Sequence, residues 1–250
     1  MNKSYWNLSI TLAKMEFKLR NEGSYLGLFW YFLNPLFTFI LLNFIFSAKF
    51  GQDIAFYSLY LLLGIIMFNF FQSTTNESTK VIINNRNVIK SVSFPKWTLD
   101  LSILIKYLFS HIFEMAIFII FMFFSGISFL GIIFYPLLLF VYLIFILGVC
   151  LSFSSISVYF VDLENIWQFI SRLLWLATPI FYTIAGNSNL FLLNLFNPLY
   201  YFLTVFRDVV IYTKMPEPWL IVGTIIWTLL SFTIGIILYK NLNKRFPEMV

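Results

Sequence analysis

Three ionisable side chains sit where a membrane protein bears a cost for them. Lys106, His111 and Glu114 fall within one apolar run, Ile103 to Phe124, and an ionisable group at membrane depth is expensive enough to mark a functional position. Lys106 lies near one end of the run, where its stem can carry the ammonium toward water. His111 and Glu114 are spaced i, i+3, so on a helix they share a face and can pair. That pair reads either as a hydrogen-bonded lock between helices or as a substrate or proton site. With one His, one Cys and no clustered carboxylates in the chain, metal binding is not expected.

A second set is aromatic and hydroxylic. Trp167, Ser171, Trp175, Thr178 and Tyr182 recur at steps of four, four, three and four, a stripe down one helix face, with Arg172 one turn after Gln168. Such a stripe suits sliding sugars, because rings offer flat contacts and hydroxyls offer exchangeable hydrogen bonds; aromatics at this spacing also serve as core or interface belt. Tyr31, Asn34 and Thr38 make a shorter polar line. Gly148, Ser152 and Ser155, with Ser154 and Ser157 beside them, are small residues that let helices approach, and they read as packing.

Several chemistries are missing. No Gly begins a G-x-x-x-x-G-K-[ST] phosphate cradle, no H-E-x-x-H appears, and no nucleophile sits beside the His. No catalytic residue is expected, and energy for any transport must come from a gradient or a partner.

The elements that position these residues follow from composition. The 250 residues are 60% hydrophobic and 11% charged, against roughly 45–50% and about 25% in soluble domains, and the mean hydropathy is +0.87. The runs are continuously apolar rather than alternating, which excludes a barrel. Taking about 20 residues per crossing, the spans fall at Phe29 to Ala48, Ile54 to Phe71, Ile103 to Phe124, Ile132 to Val158, Ile166 to Ala185 and Trp219 to Tyr239. Eleven of the 16 Lys and Arg lie on one side of these spans, at Lys3, Lys14, Lys18, Arg20, Lys80, Arg86, Lys90, Lys96, Lys240, Lys244 and Arg245; only Lys49, Arg207 and Lys214 lie on the other. Positive residues stay inside, so both termini are expected in the cytoplasm. The net charge of +5 is accounted for in this way rather than by nucleic acid. Cys150 lies in an apolar run, where no intrachain disulfide can form, and no removable signal peptide is expected.

Residues 2–20 fit a helix with Tyr5, Leu8, Leu12, Met15 and Leu19 on one stripe, widened by Trp6, Ile10, Ala13 and Phe17, and with Lys3, Asn7, Thr11, Lys14 and Lys18 opposite. It either lies in the headgroup layer or packs on protein. The connection Gln72 to Ser102 is long and polar; Ser73, Thr74, Thr75, Asn76 and Glu77 ahead of Val81, Ile82 and Ile83 read as a helix start, with a break at Phe94 before Pro95. The connection Gly186 to Pro218 is still apolar, in two pieces broken by Asn197 and Pro198, each too short to span. It reads as a re-entrant hairpin on the outer face or as a pair of interfacial helices.

Taken in order, these residues resemble a known family, the ABC-2 type membrane subunits of bacterial polysaccharide exporters that move O-antigen, teichoic acid or capsule. Gly23, Ser24, Leu26, Gly27, Trp30, Asn34 and Pro35 resemble its lead-in to the first span. Asn87, Ile89, Lys90, Phe94, Pro95 and Lys96 resemble its cytoplasmic segment between spans two and three. Asp162, Leu163, Asn165 and Ile166, then Pro179, Ile180, Phe181 and Tyr182, resemble its fifth span, and Asn197, Pro198, Phe206 and Arg207 its outer hairpin. One departure is Val161, where the family often carries Arg before the Asp, so a charge pair there does not carry over.

The resemblance implies an all-α integral membrane domain over residues 1–250: a cytoplasmic amphipathic interface helix and lead-in (1–28), spans one to five (29–185), an outer re-entrant hairpin (186–218), and span six with a cytoplasmic tail (219–250). It implies a homodimer in the bacterial inner membrane, each copy docked on a separate ABC ATPase through a coupling helix at Asn87, Ile89, Lys90, Phe94, Pro95 and Lys96. The chain itself would bind no cofactor, with ATP and Mg on the partner. The cargo would be a polyprenyl pyrophosphate-linked glycan, passing a channel lined by Tyr31, Asn34, Thr38, Trp167, Ser171, Trp175, Thr178 and Tyr182. Lys18 and Arg20 would meet the pyrophosphate or anionic membrane lipid, and Asn197, Pro198, Phe206 and Arg207 would form an outer gate. Alternatives are an ABC-2 exporter of a drug, peptide or small lipid, and an integral membrane enzyme acting on polyprenyl lipids.

Overall fold

Lipid offers a backbone no hydrogen-bond partners, so long apolar runs must satisfy themselves as helices. The computed structural model, which describes residues 3–22, 27–91, 94–184 and 188–242, is built of helices, with no strand among those residues. In chain order they are α1 (Lys3–Asn21), α2 (Trp30–Phe50), α3 (Tyr57–Ser78), α4 (Val81–Asn84), α5 (Arg86–Ser91), α6 (Trp97–Phe124), α7 (Tyr135–Ser157), α8 (Leu163–Ala177), α9 (Ser188–Leu195), α10 (Pro198–Val210) and α11 (Pro218–Leu242). Short 3₁₀ segments lead into α2 at Gly27–Phe29 and into α7 at Phe129–Phe134. Of the lead-in residues, Gly23, Ser24 and Leu26 lie outside the described set, as do Lys244 and Arg245.

The bundle is assembled around α3. Its apolar window is 78% buried, against 17% for α2 and 22% for α11, which follows from a sequence that is apolar on every face from Leu59 to Phe71. The outer helices instead turn Phe37, Ile40, Leu41 and Phe44 of α2, and Leu229, Leu230, Ile234 and Ile237 of α11, outward, as a lipid-facing surface requires. Two glycines set the close crossing of α7 and α11: a Cβ on Gly148 of α7 would lie 2.4 Å from the Ser231 carbonyl carbon, and one on Gly235 of α11 2.3 Å from the Gly148 oxygen. Ser231 Oγ donates to the Phe145 carbonyl at 3.1 Å across this seam.

α1 packs on protein. Ser9 and Ala13 are fully buried, Ser9 Oγ donates to the Thr98 carbonyl of α6 at 3.1 Å, and Phe17 stacks on Tyr31 of α2. The buried line therefore runs through Ser9, Ala13 and Phe17, while Met15 and Leu19 of the expected apolar stripe are exposed. Sequence periodicity located the amphipathicity; a small serine permitting close approach decided which edge of it faces α6.

Among the described residues five helices are long and apolar enough to cross a membrane, at Trp30–Phe50, Tyr57–Ser78, Trp97–Phe124, Phe129–Ser157 and Pro218–Leu242, and a sixth crossing is reached only if α9 and α10, bent by 103°, count as one span. The expected crossing Ile166 to Ala185 is shorter as a helix. α8 has 15 residues, about 22 Å of rise, and stops where Thr178 turns extended at φ −79°, ψ 135°, because Pro179 excludes the helical conformation from the residue before it. The polar run Ser73 to Glu77 forms the last turns of α3, and the short helix expected after it, α4, begins at Val81; the Thr74 and Thr75 hydroxyls bond back to the Phe70 and Phe71 carbonyls at 2.7 and 2.8 Å and so are satisfied within α3.

Candidate functional site

At the end of the bundle that carries α1, Lys106 is held between two carboxylates. Its side chain is 6% exposed; Nζ donates to Glu16 of α1 at 3.0 Å and also to Glu77 at the end of α3. Burying the Lys106 ammonium is costly unless it is paired, and its two half-buried carboxylate partners bring α1, α3 and α6 together at a point fixed by charge. The sequence exposed Lys106 as out of place, and the missing counter-charges were its signal, but Glu16 and Glu77 lie 90 and 29 residues away. Beyond Ser78, Lys80 pairs with Glu164 at 3.0 Å, joining the end of α3 to the start of α8.

The segment expected to couple hangs from this junction. Ile89 and Phe94 are buried with Val81, Ile82, Leu99, Ile103 and Val158, and Leu8 and Leu12 of α1 pack on the same cluster. Arg86, Asn87, Val88 and Lys90 are exposed, while Pro95 and Lys96 are half-buried. Two apolar anchors thus present a short basic surface. Lys18 is exposed and pairs loosely with Glu22 at 3.8 Å; the side chain of Arg20 lies outside the described residues.

Within the bundle the two expected linings part. Tyr31 and Asn34 line a polar cavity of about 230 Å³ with Asn69, Ser73, Ser110 and Glu114, while Thr38 lies beyond it and bonds to the Asn34 carbonyl. Next to the cavity His111 bonds Tyr135 through Nε2, and its Nδ1 is 3.7 Å from Glu114, so the lone His links α6 to the start of α7. The α8 stripe is a seam: Trp167 Nε1 donates to Thr75 at 3.0 Å, Gln72 donates to Ser171 at 3.2 Å, and Trp175 packs on Phe181. Tyr182 lies past the helix end and caps it, donating to the Ala177 carbonyl at 2.7 Å. The opposite face of α8 leaves Phe169, Leu173 and Leu176 exposed.

At the other end, the residues expected as an outer gate are interior and hold α9 and α10 in place. Asn197 caps α10, accepting from Leu199 N at 3.1 Å while its amide donates to Thr178 at 2.9 Å; Pro198 occupies the first turn, where no N–H is needed. Phe206 packs on Tyr135 and Tyr142. Arg207 is 3% exposed and donates to the carbonyls of Tyr60, Pro179 and Ile180 at 2.7–3.2 Å. It seats on Gly64, where a Cβ would come 2.6 Å from its Nη2. The broken end of α8 exposes carbonyls in the bundle, and Arg207 supplies the donors. Thr178 from one expected set and Asn197 from another therefore meet.

This is a polytopic helical membrane protein whose buried Lys106 and Arg207 sit at helix junctions. Residues 8–211 match the family described as ABC-2 type transporter, and the chain belongs to that family of membrane components. It is 25% identical over 248 residues to the O-antigen export system permease protein RfbA of Klebsiella pneumoniae, covering 98% of this chain and 95% of that protein. The protein of the same name from Myxococcus xanthus is 25% identical over 252 residues, covering 98% and 96%.

Proposed function

We propose that this chain is the permease subunit of an ATP-driven exporter that moves a lipid-linked polysaccharide across the bacterial inner membrane. The observation that carries the reading is similarity over almost the full length of both chains to permeases named for O-antigen export. A homodimer docks on a separate ATPase, which holds ATP and Mg. Both termini face the cytoplasm, and the glycan, on polyprenyl pyrophosphate, passes between the two copies.

Arg86, Asn87 and Lys90, presented by the anchors Ile89 and Phe94, meet the ATPase. Movement there reaches α3 directly and α1 through Lys106. α3 is one unbroken helix, so a displacement at Glu77 arrives at Tyr60 and Gly64, where Arg207 grips the α10 segment. On this account the α9–α10 pair is a re-entrant hairpin that α3 moves as an outer gate. The polar cavity at Tyr31 and Asn34 and the exposed face of α8 turn toward the channel. Deleting the gene should abolish surface glycan and leave lipid-linked glycan inside the cell; unaltered surface glycan would overturn the reading.

A further inference from the structure

At the α9–α10 end, the loop between α2 and α3, the segment after α8, α10 and the approach to α11 enclose an open cavity of about 990 Å³. Its wall is built. Tyr212 donates to the Ala55 carbonyl at 3.2 Å, closing one rim, and Lys214 pairs with Asp208 at 3.0 Å, closing another. Trp219 is held edge-on by Phe191 and Tyr201 and hydrogen-bonded to Glu217, yet remains 38% exposed.

The chemistry of that wall selects a ligand class. A second groove of about 530 Å³, between the start of α7, α10 and the start of α11, is lined mainly by Leu, Val, Ile, Phe and Met side chains, with Lys214 at its edge, as an acyl chain would want. The larger cavity instead combines aromatic rings at Tyr200, Tyr212 and Trp219 with hydrogen-bonding groups at Thr204, Asp208 and Glu217. Rings take the C–H face of a pyranose, and carboxylates accept from pairs of hydroxyls. The carboxylates are too dispersed for an ion, since no group of three metal-ligating side chains occurs among the described residues. Anions are disfavoured as well: Asp53, Asp208 and Glu217 face only Lys214, because the Arg207 guanidinium is occupied by carbonyls and by Tyr60.

We propose that this cavity is a saccharide site that takes neutral or amino-substituted sugar residues of the exported glycan; the inference rests on the export reading. The test uses the subunit bound to its ATPase in lipid nanodiscs, since glycoside detergents would compete. The probe is the oligosaccharide pool released by mild acid from the cell's own surface glycan, separated into neutral and anionic fractions, with binding read by saturation-transfer NMR.

The neutral fraction should receive saturation, and Trp219→Leu should weaken its binding by about tenfold. Glu217→Gln and Thr204→Val, which keep the aromatic frame, should weaken it as well. No transfer in the wild type, equal transfer in all three variants, or transfer to the anionic fraction alone would overturn the site. Surface glycan measured in the deletion strain keeps the two claims apart: glycan lost without binding here removes only the site, whereas glycan retained removes the export reading.

Discussion

The guanidinium of Arg207 lies 3.4 Å from the centre of the Tyr60 ring and donates two hydrogen bonds to the backbone carbonyl of that same tyrosine. Its remaining bonds go to Pro179 and Ile180, just past the broken end of α8. One side chain thus ties α10, α3 and the α8 terminus together. A lysine has the charge but not the planar fork. Arg207→Lys should lower the apparent melting temperature of the purified subunit, by the equivalent of about 2–3 kcal/mol, and should make the α9–α10 segment sensitive to protease.

Gly64 gives Arg207 its place. A methyl group there would meet Nη2 at 2.6 Å and Ile180 at 3.2 Å, so Gly64→Ala should cost about 1–3 kcal/mol, the range for overpacking a close contact. Combined with Arg207→Lys, the losses should fall short of additive, because both act on one contact. A double-mutant cycle by thermal unfolding measures this.

Lys106→Met should leave the half-buried carboxylates of Glu16 and Glu77 side by side without their shared donor, a loss of about 1–3 kcal/mol. Adding Glu16→Gln and Glu77→Gln to that variant should restore much of the stability without restoring the tie between α1 and α3. The triple variant is expected to bind the ATPase and yet export poorly, as read by complex recovery against surface glycan.

Asn197→Ala removes the cap of α10 and the bond to Thr178 together. Caps are worth about 1 kcal/mol, and the buried Thr178 hydroxyl loses its donor, so a loss of about 2 kcal/mol is expected. Asn197→Asp keeps the cap acceptor but turns a buried carboxylate oxygen toward the Thr178 hydroxyl and the Asn194 amide oxygen, which both accept from Asn197, and should be destabilised at least as much as Ala in the same unfolding assay.

Much of this architecture is legible in the residues. The apolar runs locate α2, α3, α6, α7 and α11, and Asn197 with Pro198 marks the start of α10. Other features have no local sign. The short α8 was signalled by Pro179, which a count of apolar residues passes over because proline is tolerated in membrane helices. The partners of Lys106 are remote in sequence, and Arg207 answers backbone carbonyls, which no residue letter records. The stripe keeps helical spacing only at Trp167, Ser171 and Trp175, since α8 ends at Ala177; Trp167 and Ser171 meet the polar end of α3, which only the packing of the two helices reveals.

In the proposed exporter the surface at Arg86 to Lys90 receives the ATPase, and glycan export depends on it. Arg86→Glu together with Lys90→Glu changes two exposed side chains that leave the Ile89 and Phe94 anchors untouched, so folding should be preserved within about 0.5 kcal/mol. The decisive measurement is surface glycan in a deletion strain complemented with this double variant, alongside recovery of the ATPase with the subunit. The variant should reach normal membrane levels but lose ATPase recovery and surface glycan; normal surface glycan carried by the variant would overturn docking at this surface.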